Sequence, residues 1–389
     1  MFTTIPITVL SFAGALVVII LIPSYYRVRN TPVLLSIFWL CSTSLFIAIN
    51  TAGWQHNVSD KWQVYCEISV RIVYASPFAL QCCSVLLLSR LEAIAATRYV
   101  SLTDSAKKRR MVIELVVGFI LPILYIALAV INQGHRYDII EGLGPTISIF
   151  PSVLSLIFST APTLVASVIA TVYALLCAYW LFLRRRQLSA VLSSSGSGIN
   201  ISQYVRLFGL SCMELLWTVP INWSVQMQNL LNRGDNGQVL YPYKSWAYVH
   251  QGYWSISQVT IEDLRQTSVG RKNIPIMYLG ALSISVSCFI FFIFLGTSTE
   301  ISRDLTARLG AFCPVSKWAS KISGRQGLFN VHSVRRQPAL SESRSQPPLT
   351  PNEELKMKDF DESRADEMQI EVLVERTRYE DSLESSRAM

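Results

Sequence analysis

Residues 7–26 read ITVLSFAGALVVIILIPSYY and contain no charged side chain. A helix of this length is about 30 Å long, which matches the thickness of the hydrocarbon core of a bilayer. The stretch therefore predicts a membrane-spanning helix near the start of the chain. Because basic residues follow the run and none precedes it, we expect a signal-anchor rather than a cleaved signal peptide.

Six further stretches have the same character, so that seven transmembrane helices are predicted. They are residues 33–53, 72–89, 111–131, 147–183, 207–231 and 274–299. Two of them contain one carboxylate each, Glu114 or Glu214, and remain apolar enough to span. Residues 147–183 could hide two helices, but they barely hold two spans and a turn, and Pro162 is tolerated inside a membrane helix.

Composition agrees with this class. Apolar residues make up 51% of the 389 residues and charged residues only 15%, whereas about a quarter of a soluble chain is charged. Residues 341–389 differ from the rest, with 7 Lys and Arg against 13 Asp and Glu. We predict an all-α membrane protein, with a seven-transmembrane helix bundle over residues 1–299 and a disordered C-terminal tail over residues 316–389.

The distribution of Lys and Arg predicts the orientation, because cytoplasmic loops are enriched in these residues. They follow the first, third and fifth spans, where they include Arg98, Arg184 and Arg185. The N-terminus is then extracellular, the C-terminus cytoplasmic and the protein multi-pass in the plasma membrane. The last outer loop carries five basic residues and weakens the pattern, although long loops translocate largely regardless of charge.

Two modification sites are predicted from this topology. Asn57 begins the sequon Asn-Val-Ser in the first outer loop, where glycosylation enzymes could reach it, although short sequons arise often by chance. Residues 300–315 have the spacing of an amphipathic surface helix, which palmitoylation of Cys313 could hold at the membrane.

Ionisable groups within membrane spans are costly and mark functional candidates. Glu67 and Arg71 lie four residues apart at the outer end of the third span. They could form an ion pair that merely neutralises both charges, or they could contact a ligand. Glu114 is expected to pair locally near the cytoplasmic surface. Glu214 lies deeper, on a sixth span interrupted by Pro220, and this helix could be a moving part or an ordinary packed one.

Aromatic side chains are dense in the last outer loop, between Tyr241 and Trp254. An interfacial aromatic belt and an apolar ligand groove both explain them. On the cytoplasmic side, the basic residues could bind an acidic protein or anionic lipid, although topology alone would produce most of them.

Other classes of protein receive little support from the sequence. The four His are scattered, and no metal-spaced Cys pair, His-Glu-x-x-His or Gly-x-Ser-x-Gly occurs, so we expect no enzyme activity, metal or cofactor, and nothing suggests nucleic-acid binding. A small-solute transporter or channel is the main alternative, but it would show internal repeats and broken helices. A structural membrane protein without a ligand is the other.

Several segments together resemble the fungal lipopeptide mating-pheromone receptors, the a-factor receptor type of the class D G-protein-coupled receptors. The resemblance covers about the first 300 residues. The most specific segment reads QGHRYDI at residues 133–139, and Cys-Glu-Ile at residues 66–68 and Ser-Arg-Leu at residues 89–91 add to it. The family has a Cys shortly after this stretch, where this chain has GLGP at residues 142–145, so a disulfide from Cys66 is in doubt.

The resemblance implies a receptor for a farnesylated peptide pheromone that signals through a heterotrimeric G protein, with homodimerisation left open. The residues expected on the ligand side are Trp54, Glu67, Arg71, Tyr74, His135, Arg136, Asp138, Tyr253 and Trp254. Those expected to face the G protein are Arg90, Arg98, Arg184 and Arg185.

Overall fold

A computed structural model describes residues 4–28, 30–96, 104–183, 201–231 and 241–296. Within them, seven helices are long and apolar enough to cross a membrane, which confirms the predicted number. We refer to them as spans one to seven. They are Ile5–Tyr26, Thr31–Gly53, Gln63–Ala95, Ser105–Asn132, Val153–Leu183, Tyr204–Val225 and Gly270–Gly296.

Three spans begin six or more residues away from the predicted position, and span four is one of them, because it begins at Ser105 instead of residue 111. Span three begins at Gln63 instead of residue 72, so that Cys66, Glu67 and Arg71 all lie on its first turns. Span five begins at Val153 instead of residue 147, because Ser152 and Ser155 form a capping box that starts the helix there. Span five is nevertheless one continuous segment, as the tolerance of Pro162 predicted.

Spans four and five each widen into one π-helical turn, Val116–Ile120 and Leu156–Thr160, shortly before a proline. Proline has no N–H and therefore leaves the carbonyl four residues earlier without its helical donor. In span four that carbonyl belongs to Gly118, and the Trp39 indole of span two donates to it at 3.0 Å. The proline thus creates an acceptor that joins two spans.

The connecting segments contain a small sheet that the sequence analysis did not predict. Its strands are β1 (Tyr137–Ile140), β2 (Gly144–Thr146) and β3 (Ile256–Val259), in the order β2-β1-β3. β1 pairs with β2 in antiparallel and with β3 in parallel orientation. The sheet joins the loop after span four to the loop before span seven, and we call the end of the bundle that carries it the sheet end.

The loop before span seven also contains two short helices, Trp246–Val249 and Ile261–Gln266. Thr260 caps the second helix by accepting a hydrogen bond from the Asp263 N–H. The Glu141 carboxylate, just after β1, accepts a hydrogen bond from the Ile261 N–H at 3.0 Å. These contacts attach the loop to the sheet.

The core follows from the amphipathic packing of the spans. One large cluster of buried apolar side chains fills the bundle, and a smaller one at the sheet end contains Trp54, Cys66, Val70, Tyr137 and Ile139. The predicted surface helix at 300–315 and the predicted tail at 316–389 lie outside the described residues.

Candidate functional site

A cavity of about 250 Å³ lies at the sheet end, between spans two, three, six and seven. Its walls are mainly apolar, with a few hydroxyl and amide groups. Its lining residues are Thr43, Ile47, Asn50, Thr51, Val73, Ser76, Pro77, Leu143, Pro145, Thr146, Asn222, Val225, Ile276, Met277, Gly280, Ala281, Ser283 and Ile284. Such an apolar concave site with a few polar groups is the usual form of a small-molecule site.

The cavity is covered by the turn between β1 and β2. Gly142 and Gly144 adopt φ angles of +80° and +79°, a region that other residues rarely enter. The Gly142 N–H donates to the Trp54 carbonyl at 2.7 Å. A Cβ at Gly144 would lie 2.9 Å from the Asn50 Cβ, so only glycine permits this approach. Gly142 and Gly144 therefore hold the cover against span two.

Asn50 connects the cavity wall to the core. Its side-chain amide donates to the Ser69 hydroxyl at 2.8 Å, and its carbonyl oxygen accepts from the Tyr65 hydroxyl at 2.7 Å. Because Asn50 is buried and its hydrogen bonds are satisfied within the protein, spans two and three are joined directly below the cover.

Glu67 lies at the centre of a charged group at the sheet end, next to the start of β1. The predicted pair with Arg71 is present at 3.8 Å, but Arg136 is the closer partner, with 2.5 Å between its Nε and a Glu67 oxygen. The Arg136 guanidinium also lies 5.8 Å from the centre of the Trp254 ring, within the range of a cation–π contact. Hydrogen bonding to Glu67 raises the pKa of Arg136.

The rest of the HRYD stretch is held in place by neighbouring polar groups. The His135 ring contacts the Asp138 carboxylate and the Ser148 hydroxyl. The Tyr137 hydroxyl donates to Asp60 at 2.9 Å. Burial, together with this hydrogen bond to a carboxylate, raises the pKa of Tyr137, so the phenol stays neutral and acts as a donor.

Two residues predicted on the ligand side pack against other parts of the protein, Trp54 fully buried and Tyr74 half-buried. Trp54 is fully buried, and its indole N–H donates to the Ser59 carbonyl at 2.9 Å. Tyr74 stacks on Tyr125 of span four, with 4.9 Å between ring centres. In this arrangement both side chains support the walls of the sheet end.

The aromatic residues of the loop before span seven form a connected surface. Trp254 is 78% exposed and meets Tyr253 edge-on, and Trp246 stacks on His250 at 3.8 Å. The His250 ring also contacts the Val130 carbonyl at 3.0 Å, which ties this surface to the end of span four. Because Arg136 lies over the Trp254 ring, these exposed aromatic rings are adjacent to the Glu67–Arg136 pair.

At the opposite end of the bundle, Arg90 is part of a charged group around the buried Glu114. It donates to Glu114 at 2.6 Å and to the Asn30 side chain at 3.0 Å, while Arg110 donates to Glu114 at 3.1 Å. The local pairing predicted for Glu114 is confirmed, and it extends to span three. Arg98, Arg184, Arg185 and Cys313 lie outside the described residues.

Asn57 lies in the loop between spans two and three, at the sheet end. Its amide donates to the Gly53 carbonyl at 3.1 Å, and its own carbonyl oxygen accepts from the Ser59 hydroxyl at 2.8 Å. Cys66 is a free buried thiol. Among the described residues, no three His, Cys, Asp or Glu side chains lie together as metal ligands would.

The sequence analysis missed the cavity itself. Its lining residues are scattered over four spans and have no common motif. Pro77 and Pro220, each inside a span that lines or adjoins the cavity, were the available signal, because helix irregularities concentrate where helices surround a cavity.

Comparison with known proteins identifies the family of this chain. The sequence profile of the family STE3, described as Pheromone A receptor, matches residues 6–312. The chain is 31% identical to Pheromone receptor 1 of Ustilago hordei over 80% of this chain and 85% of that protein. It is 30% identical to Pheromone receptor 1 of Mycosarcoma maydis over 79% of this chain and 85% of that protein. It is also 23% identical to the Pheromone a factor receptor of Saccharomyces cerevisiae over 55% of this chain and 47% of that protein. The chain therefore belongs to the fungal pheromone A receptor family and is a multi-pass membrane receptor of the G-protein-coupled type.

Proposed function

We propose that this receptor binds a peptide pheromone with a farnesylated C-terminal cysteine at the sheet end and signals through a heterotrimeric G protein at the opposite end. The observation that carries the proposal is the apolar cavity bounded by four spans under the β1–β2 turn. The sheet end is then extracellular, which agrees with the position of Asn57, the proposed glycosylation site, and the C-terminus is cytoplasmic.

The size of the cavity indicates that only part of the ligand enters it. Sites for drug-sized molecules are about 300–1,000 Å³, and this one is about 250 Å³. It suits a lipid chain and excludes a whole peptide. The apolar walls favour a prenyl group, because each buried CH₂ contributes about 0.8 kcal/mol. The peptide portion then lies over the exposed loops.

Charged and aromatic side chains at the sheet end supply the surface for that peptide portion. Charged groups with partial exposure can exchange an internal partner for a ligand group at little cost. We assign the direct contacts to Glu67, Arg71, His135, Arg136, Asp138, Tyr253 and Trp254. Trp54 and Tyr74 act through the shape of the walls, because Trp54 is fully buried and the half-buried Tyr74 is stacked on Tyr125.

The partner at the opposite end is the G protein. Arg98, Arg184 and Arg185 supply positive charge for an acidic protein surface, and membrane lipid headgroups are a second partner for the same residues. Arg90 is held by Glu114 and Asn30, so it contributes to the G-protein surface only if those contacts change. Homodimerisation stays a separate prediction.

Signalling follows from population shift. A ligand that binds the active arrangement more tightly increases its population by the difference in binding free energy. Span six supplies Asn222 and Val225 to the cavity, close to its internal Pro220. A ligand in the cavity therefore contacts the helix whose proline permits bending, and movement of that helix changes the surface at the opposite end.

Yeast cells that carry a G-protein-dependent reporter test the proposal. We expect a response to a farnesylated peptide and at least a tenfold weaker response to its unfarnesylated form. Gly280 lines the cavity, and a Cβ there would meet no heavy atom within 4 Å. Gly280→Leu should therefore reduce the response to the farnesylated form, and Gly280→Ala should change it less.

The G-protein arm is tested separately. Replacing Arg184 and Arg185 with Ala should abolish the reporter signal at equal surface expression, while binding of a labelled farnesylated peptide remains. Equal potency of farnesylated and unfarnesylated peptides would contradict the lipid part of the proposal. Retention of full signal in the double Ala variant would contradict the assigned G-protein surface.

A further inference from the structure

A buried carboxylate lies in the interior of the bundle, away from both charged groups described above. Glu214 of span six is only 6% exposed. The Ser287 hydroxyl of span seven donates to one of its oxygens at 3.1 Å. Among the described residues, no Lys, Arg or His forms an ion pair with Glu214, and its other oxygen has no hydrogen-bond partner.

A second unpartnered acceptor lies against the same turn of span six. The Thr218 hydroxyl donates its hydrogen to the Glu214 backbone carbonyl at 2.8 Å. Its oxygen must therefore accept from the Gln81 amide nitrogen at 3.0 Å, which fixes the orientation of that amide. The Gln81 carbonyl oxygen is buried and has no partner in the described part of the chain.

Span two contributes further polar groups beside Ser287. Ser44 and Cys288 are hydrogen-bonded at 3.1 Å, and Cys288 follows Ser287 in span seven. The neighbouring Thr43 hydroxyl is buried and, within the described residues, unpartnered. Thr43 also lines the cavity, so these polar groups lie next to the cavity described above.

We propose that Glu214, Gln81, Thr43 and Ser287 form a binding site for a small monovalent cation of the sodium class. Hard cations prefer carboxylate, carbonyl and hydroxyl oxygens, which are the groups present here. A single buried carboxylate is costly without compensation. One positive charge neutralises it, whereas a divalent ion would leave a buried excess of positive charge. The ion would link spans six and seven to spans two and three.

This inference goes beyond the proposed function and is tested without a pheromone. The full-length receptor, purified in detergent, is heated in 150 mM NaCl, KCl or choline chloride, at one ionic strength on the order of the physiological value. An ion that binds only the folded state raises the unfolding midpoint. We expect NaCl to raise it over choline chloride by on the order of 3 °C. KCl distinguishes a sodium-selective site from a general monovalent site.

Glu214→Gln should abolish the dependence on Na⁺, because the neutral amide keeps the size of the side chain but removes the charge. The matched control is Glu114→Gln, which alters a carboxylate that Arg90 and Arg110 already neutralise and should leave the Na⁺ effect unchanged. If Glu214→Gln does not fold, Ser287→Ala is expected to reduce the shift by at least half.

The wild-type measurement alone can overturn the proposal. Equal midpoints in NaCl, KCl and choline chloride would show that no monovalent metal cation binds the folded receptor at Glu214. A shift of the same size in wild type and Glu214→Gln would place the ion elsewhere. Neither result depends on whether a farnesylated peptide activates the receptor.

Discussion

The two ends of the bundle hold their charged side chains in different ways. At the opposite end, Glu114 has a side chain only 5% exposed and is contacted by both Arg90 and Arg110. At the sheet end, the Glu67 side chain is 33% exposed and is contacted by Arg71 and Arg136. Buried charges become costly when a partner is lost, whereas exposed charges exchange partners with water readily. Rearranging the ion pairs of the opposite end therefore costs a large free energy. The ion pairs of the sheet end can exchange their partners for new contacts at little cost.

The largest difference is expected between Glu114→Ala and Glu67→Ala. Glu114→Ala removes a buried carboxylate together with its contacts to Arg90 and Arg110, and we expect a loss of about 3 kcal/mol in the free energy of unfolding. Glu67→Ala should cost about 0.5 kcal/mol, because water replaces the carboxylate. Unfolding of the purified receptor in mixed micelles measures both, and the exposed Lys108→Ala is the control. Equal losses at Glu114 and Glu67 would remove the distinction between the two ends.

Gly144→Ala tests the cover of the cavity and should have the second-largest effect. The new methyl group would meet Asn50 at 2.9 Å in a backbone conformation that disfavours alanine. We expect a cost of about 2 kcal/mol and a weaker response to pheromone. Gly134→Ala is the matched control, because its Cβ would lie 3.8 Å from Phe150. A harmless Gly144→Ala would mean that the turn does not need this approach.

The comparison also explains what the sequence could predict. Seven spans follow from uncharged stretches because the bilayer demands a fixed length of apolar helix. The pairs Glu67–Arg71 and Arg110–Glu114 follow from helical spacing. These features are local in sequence, so that composition and periodicity are enough to find them.

The remaining features depend on contacts between distant residues. Arg136 lies 69 positions from Glu67, and no pattern in either segment indicates that they meet. The parallel pairing of β1 and β3 joins segments more than 100 residues apart. The cavity depends on the relative positions of four helices, and hydropathy contains no information on those positions. The start of span five was misplaced for a different, local reason, because the capping box of Ser152 and Ser155 overrides the apolar pattern before it.

Within the sheet end, Arg136 and Arg71 should differ in importance for pheromone response. The Arg136–Glu67 distance is 2.5 Å and the Arg71–Glu67 distance 3.8 Å, and only Arg136 also lies over Trp254. We expect Arg136→Gln to raise the half-maximal pheromone concentration about fivefold, which is about 1 kcal/mol, and Arg71→Gln to raise it less. Dose-response curves at equal surface expression give both values. A larger effect at Arg71 would show that the ligand uses the helical pair and not the loop.

The smallest effect is expected at His250, where the loop before span seven meets span four. Both ring nitrogens contact backbone carbonyl oxygens, those of Trp246 at 2.9 Å and Val130 at 3.0 Å. Carbonyl oxygens only accept hydrogen bonds, so the ring attaches this loop to span four by donating. His250→Phe keeps a ring against Trp246 but cannot donate, and we expect it to raise the half-maximal pheromone concentration by about twofold, the size expected for a weak, partly exposed hydrogen bond. Dose-response curves of the two proteins at equal surface expression measure this change. Identical curves would mean that the attachment of this loop does not influence ligand binding, and that the adaptable part of the sheet end is limited to the group around Glu67.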